Sequence, residues 1–132
     1  MAQIEGPARE LLDSKNHAVV STLNENGSLH STVVWVNLED GVLAVNSAVG
    51  RKWPSNLERD PRITVTVYDQ SNPYEYVEIR GTATGTTDGA DDHIDRLAKK
   101  YLDADSYPFR QPGEQRIKFV VDADRVRHQK QG

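Results

Sequence analysis

The sequence predicts a small, mainly β protein: six antiparallel strands forming a barrel, with helices at the start, in the middle and near the end. Three observations predict it. Short segments with strand character follow one another closely, and several are joined by turns rich in Asn, Asp and Gly. Helical periodicity is confined to three stretches. Regular alternation of strand and helix, which a doubly wound parallel sheet needs, is absent. A chain of 132 residues fits one domain with one core, taken here as residues 1–132.

Residues 4–13 predict a short helix, with Ile4, Ala8, Leu11 and Leu12 on one face and Pro7 in the first turn. His17 to Leu23 reads as a strand, Asn24-Glu25-Asn26-Gly27 as a hairpin turn, and Leu29 to Asn37 as the next strand. Both faces of that strand carry apolar residues, as expected inside a barrel or between layers. Glu39-Asp40-Gly41 is a second turn and Val42 to Asn46 a third strand, completing an expected three-stranded meander. Pro54 then begins a short helix that Asp60-Pro61 ends. Ile63 to Tyr68 alternates as a half-buried strand does, Asp69 to Pro73 is a loop, and Tyr76 to Thr86 is a long strand. Within it Gly81 marks a bulge or a close backbone approach. Residues 88–102 are the clearest helix: Ile94, Leu97, Ala98, Tyr101 and Leu102 form one stripe, acids crowd the first turn, and Lys99-Lys100 stand in the last. After a loop over 103–114, Arg116 to Val121 is the last strand, Asp124 to His128 extends it after a kink, and the tail from Gln129 frays.

Composition narrows the function. The net charge of −4 argues against broad nucleic-acid binding. Without cysteine there is no disulfide, thiolate metal site or cysteine nucleophile. The N-terminus lacks the apolar core of a signal peptide, and no apolar run approaches the ~20 residues of a membrane span, so a cytoplasmic protein is expected. The four histidines show no metal-ligand spacing, so no metal is expected, and no Gly-x-Ser-x-Gly elbow, Gly-x-Gly-x-x-Gly turn or Walker-type loop is present.

What remains is the stretch from Val45 to Arg62. At the end of the third strand, Asn46, Ser47 and Gly50 lead into the adjacent cations Arg51 and Lys52. A phosphate needs convergent N–H and O–H donors and one or two cations, and this segment offers them beside a short helix. The same residues are equally compatible with a solvated polar loop. Ser31 and Thr32 on the neighbouring strand add hydroxyl donors. Trp35 and Trp53 are flat surfaces suited either to lining a planar ring or to core packing.

The string Asn46-Ser47-Ala48-Val49-Gly50-Arg51-Lys52, followed by Asn56-Leu57-Glu58-Arg59-Asp60-Pro61-Arg62 and a Val/Thr strand, resembles the pyridoxamine 5′-phosphate oxidase-like, FMN-binding split-barrel superfamily. Within it, the asparagine-leucine-x-arginine-aspartate-proline-arginine signature is most similar to the actinobacterial F420 (deazaflavin)-dependent oxidoreductases. The likeness extends over the whole element order and is specific in the region 45–67. It implies a six-stranded antiparallel split β-barrel and a homodimer with two cofactor sites at the interface. Carried over, Arg51 and Lys52 become the phosphate cations, and Asn46, Ser47 and Gly50 belong to the phosphate-holding junction. Ser31, Thr32 and Val33 run along the ring, and either Trp53 with the 74–80 region or the partner chain's C-terminal segment closes the pocket. The tryptophan and arginine with which the vitamin B6 oxidase grips its substrate have no counterpart in Arg116 to His128, which argues against pyridoxamine phosphate oxidation.

The resemblance implies an F420-dependent oxidoreductase passing a hydride from the reduced cofactor to a small conjugated or unsaturated substrate. FMN is the alternative cofactor, and no individual catalytic side chain is assigned. Two other classes stay open: a non-enzymatic flavin-, F420- or haem-binding protein, and a small interaction module whose Arg51-Lys52 loop is only surface.

Overall fold

The computed structural model describes residues 1–131. Its elements are α1 (Gly6–Asp13), β1 (Ala18–Leu23), β2 (Leu29–Val34), β3 (Val36–Glu39), β4 (Val42–Ala48), α2 (Lys52–Arg59), β5 (Arg62–Asp69), β6 (Asn72–Thr86), α3 (Ala90–Leu102) and β7 (Arg116–Lys130). The strands form one sheet, ordered β2-β1-β5-β6-β7-β4-β3, with every neighbouring pair antiparallel.

The expected six-stranded barrel is therefore corrected to seven strands in a sheet whose ladder does not close. The expected strand from Leu29 to Asn37 is interrupted at Trp35. Its first half pairs only with β1 and its second only with β4, so the meander becomes two hairpins at opposite edges of the sheet. The cause lies in α3. Val36 N–H donates to the Tyr101 hydroxyl (3.2 Å), and Val36 C=O accepts from Lys100 Nζ (2.7 Å). Lys100 Nζ also donates to Leu12 C=O (2.6 Å), tying α1, the Trp35 bend and α3 together.

The two short turns form as their residues demand. Gly27 takes φ 86°, and Asp40 and Gly41 take φ 53° and 80°, the left-handed pair that a two-residue hairpin uses. β6 and β7 run longer than expected. Gln129 pairs with Tyr76 and Lys130 with Glu75, so these residues are held in the ladder rather than frayed, while Gly132 lies outside the described residues. Opposite Gly81 the β6–β7 register shifts, giving the bulge. α2 starts two residues before Pro54, with Arg51 as its N-cap.

The main core is built from Val20, Leu43, Val45, Val65, Val67, Val77, Ile79 and Val121, with α1 and α2 contributing Leu12, Trp53 and Leu57. β4 is buried on both faces: Leu43 and Val45 look into this core, and Asn46 looks toward α3. A second, smaller cluster of Ile94, Leu97 and Tyr101 packs with Trp35 and Tyr107. Among the described residues no helix is long and apolar enough to cross a membrane.

Candidate functional site

A cleft of about 380 Å³ opens between the C-terminal end of β4, the start of α2, the Trp35 bend and α3. Its lining includes Thr32, Val33, Asn46, Ser47, Arg51 and Trp53, six of the nine residues singled out in the sequence. Ser31, Gly50 and Lys52 do not line it. The Ser31 hydroxyl pairs with that of Ser21 across the β1–β2 ladder (2.9 Å). Gly50, at φ 97°, makes the turn that brings Arg51 N–H back to Ala48 C=O (3.2 Å), so its part is geometric. Lys52 is the exposed first residue of α2.

One end of the cleft is polar. Ser47, only 2% exposed, lines this end of the cleft. Beside it stands Arg51, with a half-exposed side chain whose Nη2 lies 3.8 Å from Glu114 Oε2. A second guanidinium, Arg116, is buried. Its Nη1 donates to Glu114 Oε1 (2.7 Å), its Nε donates to Asn46 Oδ1 (3.0 Å), and it sits 5.0 Å from the centre of the Tyr107 ring. Burial opposes ionisation of Glu114. The hydrogen bond from Arg116 and the charges of Arg116 and Arg51 outweigh it, and its pKa is lowered.

Asn46 lies in the expected place with a different task. Its amide N–H groups go to Ala90 C=O (3.0 Å) and His93 Nδ1 (3.0 Å), and its carbonyl receives Arg116. These bonds fix the His93 tautomer. Nδ1 accepts, so Nε2 carries the proton and donates to Asn37 Oδ1 (2.8 Å). Asn37 then donates to Glu39 (2.9 Å), which Arg96 and Lys118 hold at the surface. Burial pushes the His93 imidazole down to about 4, helped by Lys118, Arg96 and Arg116 and opposed by Glu39. The side chain is fully buried and neutral, and the chain of bonds anchors Arg116 to α3.

The adjoining part of the lining is aromatic. Trp35 stacks on Tyr101 (5.2 Å between centroids, 6° between planes), Tyr107 meets Trp35 edge-on (6.1 Å), and Phe109 meets Tyr107 edge-on (5.7 Å). The loop carrying Tyr107 is held by α3: Tyr107 N–H donates to Asp95 (2.8 Å), and Arg110 bridges Asp91 and Asp95. Trp53 packs on Phe119 in the main core. Among the described residues no group of three or more His, Cys, Asp or Glu could hold a metal ion.

Sequence reasoning missed Arg116, Glu114, Tyr107, Phe109 and His17. Arg116 reaches the cleft because it pairs with Ala48, 68 positions earlier, and its neighbour Ile117 with Ser47. Local pattern carries no trace of that pairing. The one available signal was a charged residue opening the strand.

Solved structures share this fold. An F420 reductase superposes with a TM-score of 0.80 at 21% identity, covering 94% of this chain and 98% of its own. A conserved hypothetical protein of Mycobacterium tuberculosis gives 0.75 at 19% identity, covering 98% and 90%. General Stress Protein 26 of Bacillus anthracis gives 0.67 at 19%, covering 91% and 88%. At these identities the likeness is one of fold. No curated protein matches the chain. The family model for pyridoxamine 5′-phosphate oxidase matches residues 4–130, and the chain belongs to that family.

Proposed function

We propose that the chain binds a flavin-type cofactor, F420 in the first place and FMN in the second, and passes hydride to a small conjugated or unsaturated acceptor. The observation that carries this reading is the Ser47–Arg51 end of the cleft. There the nearly buried Ser47 and the half-exposed guanidinium of Arg51 share one cleft with the aromatic residues Trp35 and Tyr107. Ser47 and Arg51, with the first-turn amides of Lys52 and Trp53, would hold the phosphate. Thr32, Val33, Trp35 and Tyr107 would border the ring. The F420 reductase of the same fold, covered almost end to end, supports placing F420 first.

When bound, the cofactor supplies the hydride. The chain's own residues anchor one end, orient the planar part along β2 and exclude water with the Trp35–Tyr107 wall. The proposal reads residues 1–132 as one cofactor-binding domain acting as a homodimer. Its support is β2: this edge strand leaves Leu29 73% and Val33 63% exposed, and Val33 also borders the cleft, so a second copy covering β2 would close the site.

Both tryptophans of the chain line or border this cleft, so intrinsic fluorescence reads its occupancy. Titration with F420 and with FMN is expected to give saturable quenching at micromolar concentration by at least one. Arg51→Ala is expected to weaken that binding by about 10- to 100-fold, the worth of a charge-assisted hydrogen bond. Quenching by neither sinks the proposal. An Arg51→Ala protein that binds like its parent removes Arg51 from the site. Binding without turnover of the reduced cofactor across a panel of conjugated acceptors would favour a carrier over an enzyme.

A further inference from the structure

Arg51 and Arg116 both line the cleft, yet they are not equivalent. Arg116 has a side chain only 3% exposed, and the 6%-exposed carboxylate of Glu114 takes its Nη1 at 2.7 Å. Its Nε is committed to Asn46. Arg51 projects from the N-cap of α2 with its side chain 54% exposed, only loosely engaged by the free oxygen of the same carboxylate at 3.8 Å. Two guanidinium charges and one carboxylate leave this end of the cleft with a single positive charge. Lys52, the next cation in the chain, points into solvent.

We propose that Glu114 makes the site selective for a singly charged phosphodiester over a doubly charged phosphomonoester. The inference rests on the cofactor reading above and concerns which cofactor chemistry the cleft accepts. The F420 phosphate is a diester, and the FMN phosphate is a monoester. A monoanion brought against a net charge of +1 leaves the pair neutral. A dianion leaves a surplus negative charge within reach of the Glu114 carboxylate. The attraction grows in proportion to ligand charge, whereas the cost of stripping water from the ligand grows as its square. Glu114 is a positioning and selecting residue: it neutralises Arg116, steadies Arg51 and repels the second charge.

The test compares two ligands with one ring system, FMN and the methyl ester of its phosphate. Binding to the unmodified protein is followed by flavin and tryptophan fluorescence at pH 7.5 and 5.5. The ester is expected to bind about tenfold more tightly at pH 7.5, and the gap to close at pH 5.5, where the monoester, with its second pKa at about 6, becomes singly charged. The charged groups beside Arg51 are Glu114, from the segment leading into β7, and Arg116, the first residue of β7; Lys52, next in the chain, is exposed on α2 and outside the cleft lining. His17 and Tyr107 line the rest of the cleft. Glu114→Gln is expected to tighten FMN about tenfold at pH 7.5 and the ester much less, closing the gap from the other side.

Equal binding of the two ligands by the unmodified protein, or a gap that does not move with pH, overturns the inference without touching the cofactor proposal. The pH comparison needs no variant, so it decides the matter even if Glu114→Gln folds poorly with Arg116 left uncompensated. Failure of both ligands to bind also overturns the inference, and the F420 titration then decides the cofactor reading by itself.

Discussion

Replacing Gly81 with alanine is expected to cost about 3 kcal/mol or more, a large part of the stability of a domain this size. A β-carbon there would lie 2.1 Å from Asp122 C=O and 3.0 Å from the Ala123 Cα. Both are backbone atoms of the adjacent strand, so no side chain can swing aside. The site is the bulge where the register of the long β6–β7 ladder shifts, and the whole ladder must adjust. Gly85 is the internal comparison. There the added carbon meets the Phe119 ring edge at 2.7 Å and the Ile117 side chain at 3.1 Å, which are atoms that can move. Urea unfolding of the two variants should rank Gly81→Ala well below Gly85→Ala. A midpoint for Gly81→Ala equal to that of the parent would refute the close packing of β6 on β7.

Acid is expected to find His93 before it finds the carboxylates. In the fold the imidazole is held at about 4, against 6.5 for an exposed histidine. The folded state therefore refuses a proton that the unfolded chain accepts. Above pH 6.5 both states are neutral at this group and stability is flat. As pH falls from 6.5 toward 4, the unfolded state gains about one proton, and about 3 kcal/mol is lost. Glu39, Glu114 and Asp60, whose folded pKa values are lowered, add their own losses only as carboxylates begin to protonate, from about pH 4.5 down. Unfolding free energies measured at pH 7, 6, 5.5 and 5 should fall with a slope near one proton, and His93→Gln should flatten that slope. A parent protein equally stable at pH 7 and 5 would refute the buried neutral imidazole.

These two residues differ in how far the sequence announced them. Gly81, a glycine in a strand pattern, pointed to a bulge or close approach, and the ladder contains both. His93 announced nothing, because its partners Asn37 and Asn46 are 56 and 47 positions away and become neighbours only when α3 lies over β4. Asn46 shows the same limit from the other side. Its position at the end of β4 followed from the strand–glycine–cation pattern, but its hydrogen-bonding capacity is spent on Ala90, His93 and Arg116. Local pattern places a side chain on a face; it does not say which distant group claims it. The break at Trp35 was hidden for the same reason. Apolar residues on both faces read as one strand, and the groups that interrupt it belong to Lys100 and Tyr101. The Ser47–Arg51 turn was legible because its parts are contiguous, whereas the aromatic wall and the Glu114–Arg116 pair were assembled by strand pairing across most of the chain.

The bend at Trp35 also bears on how the molecule opens. The two edge strands of the sheet are successive in the chain, so the gap between them is spanned by one covalent link and a few side-chain bonds from α3. Amide protons along β2 and β3 should exchange with solvent through local opening of that seam, needing only the release of Lys100 and Tyr101. Amides in the β6–β7 ladder, twelve pairs long and interior to the sheet, should exchange only when the whole fold is lost. Hydrogen exchange would thus divide this small chain into a rigid half and a half that breathes, with the cleft on the boundary.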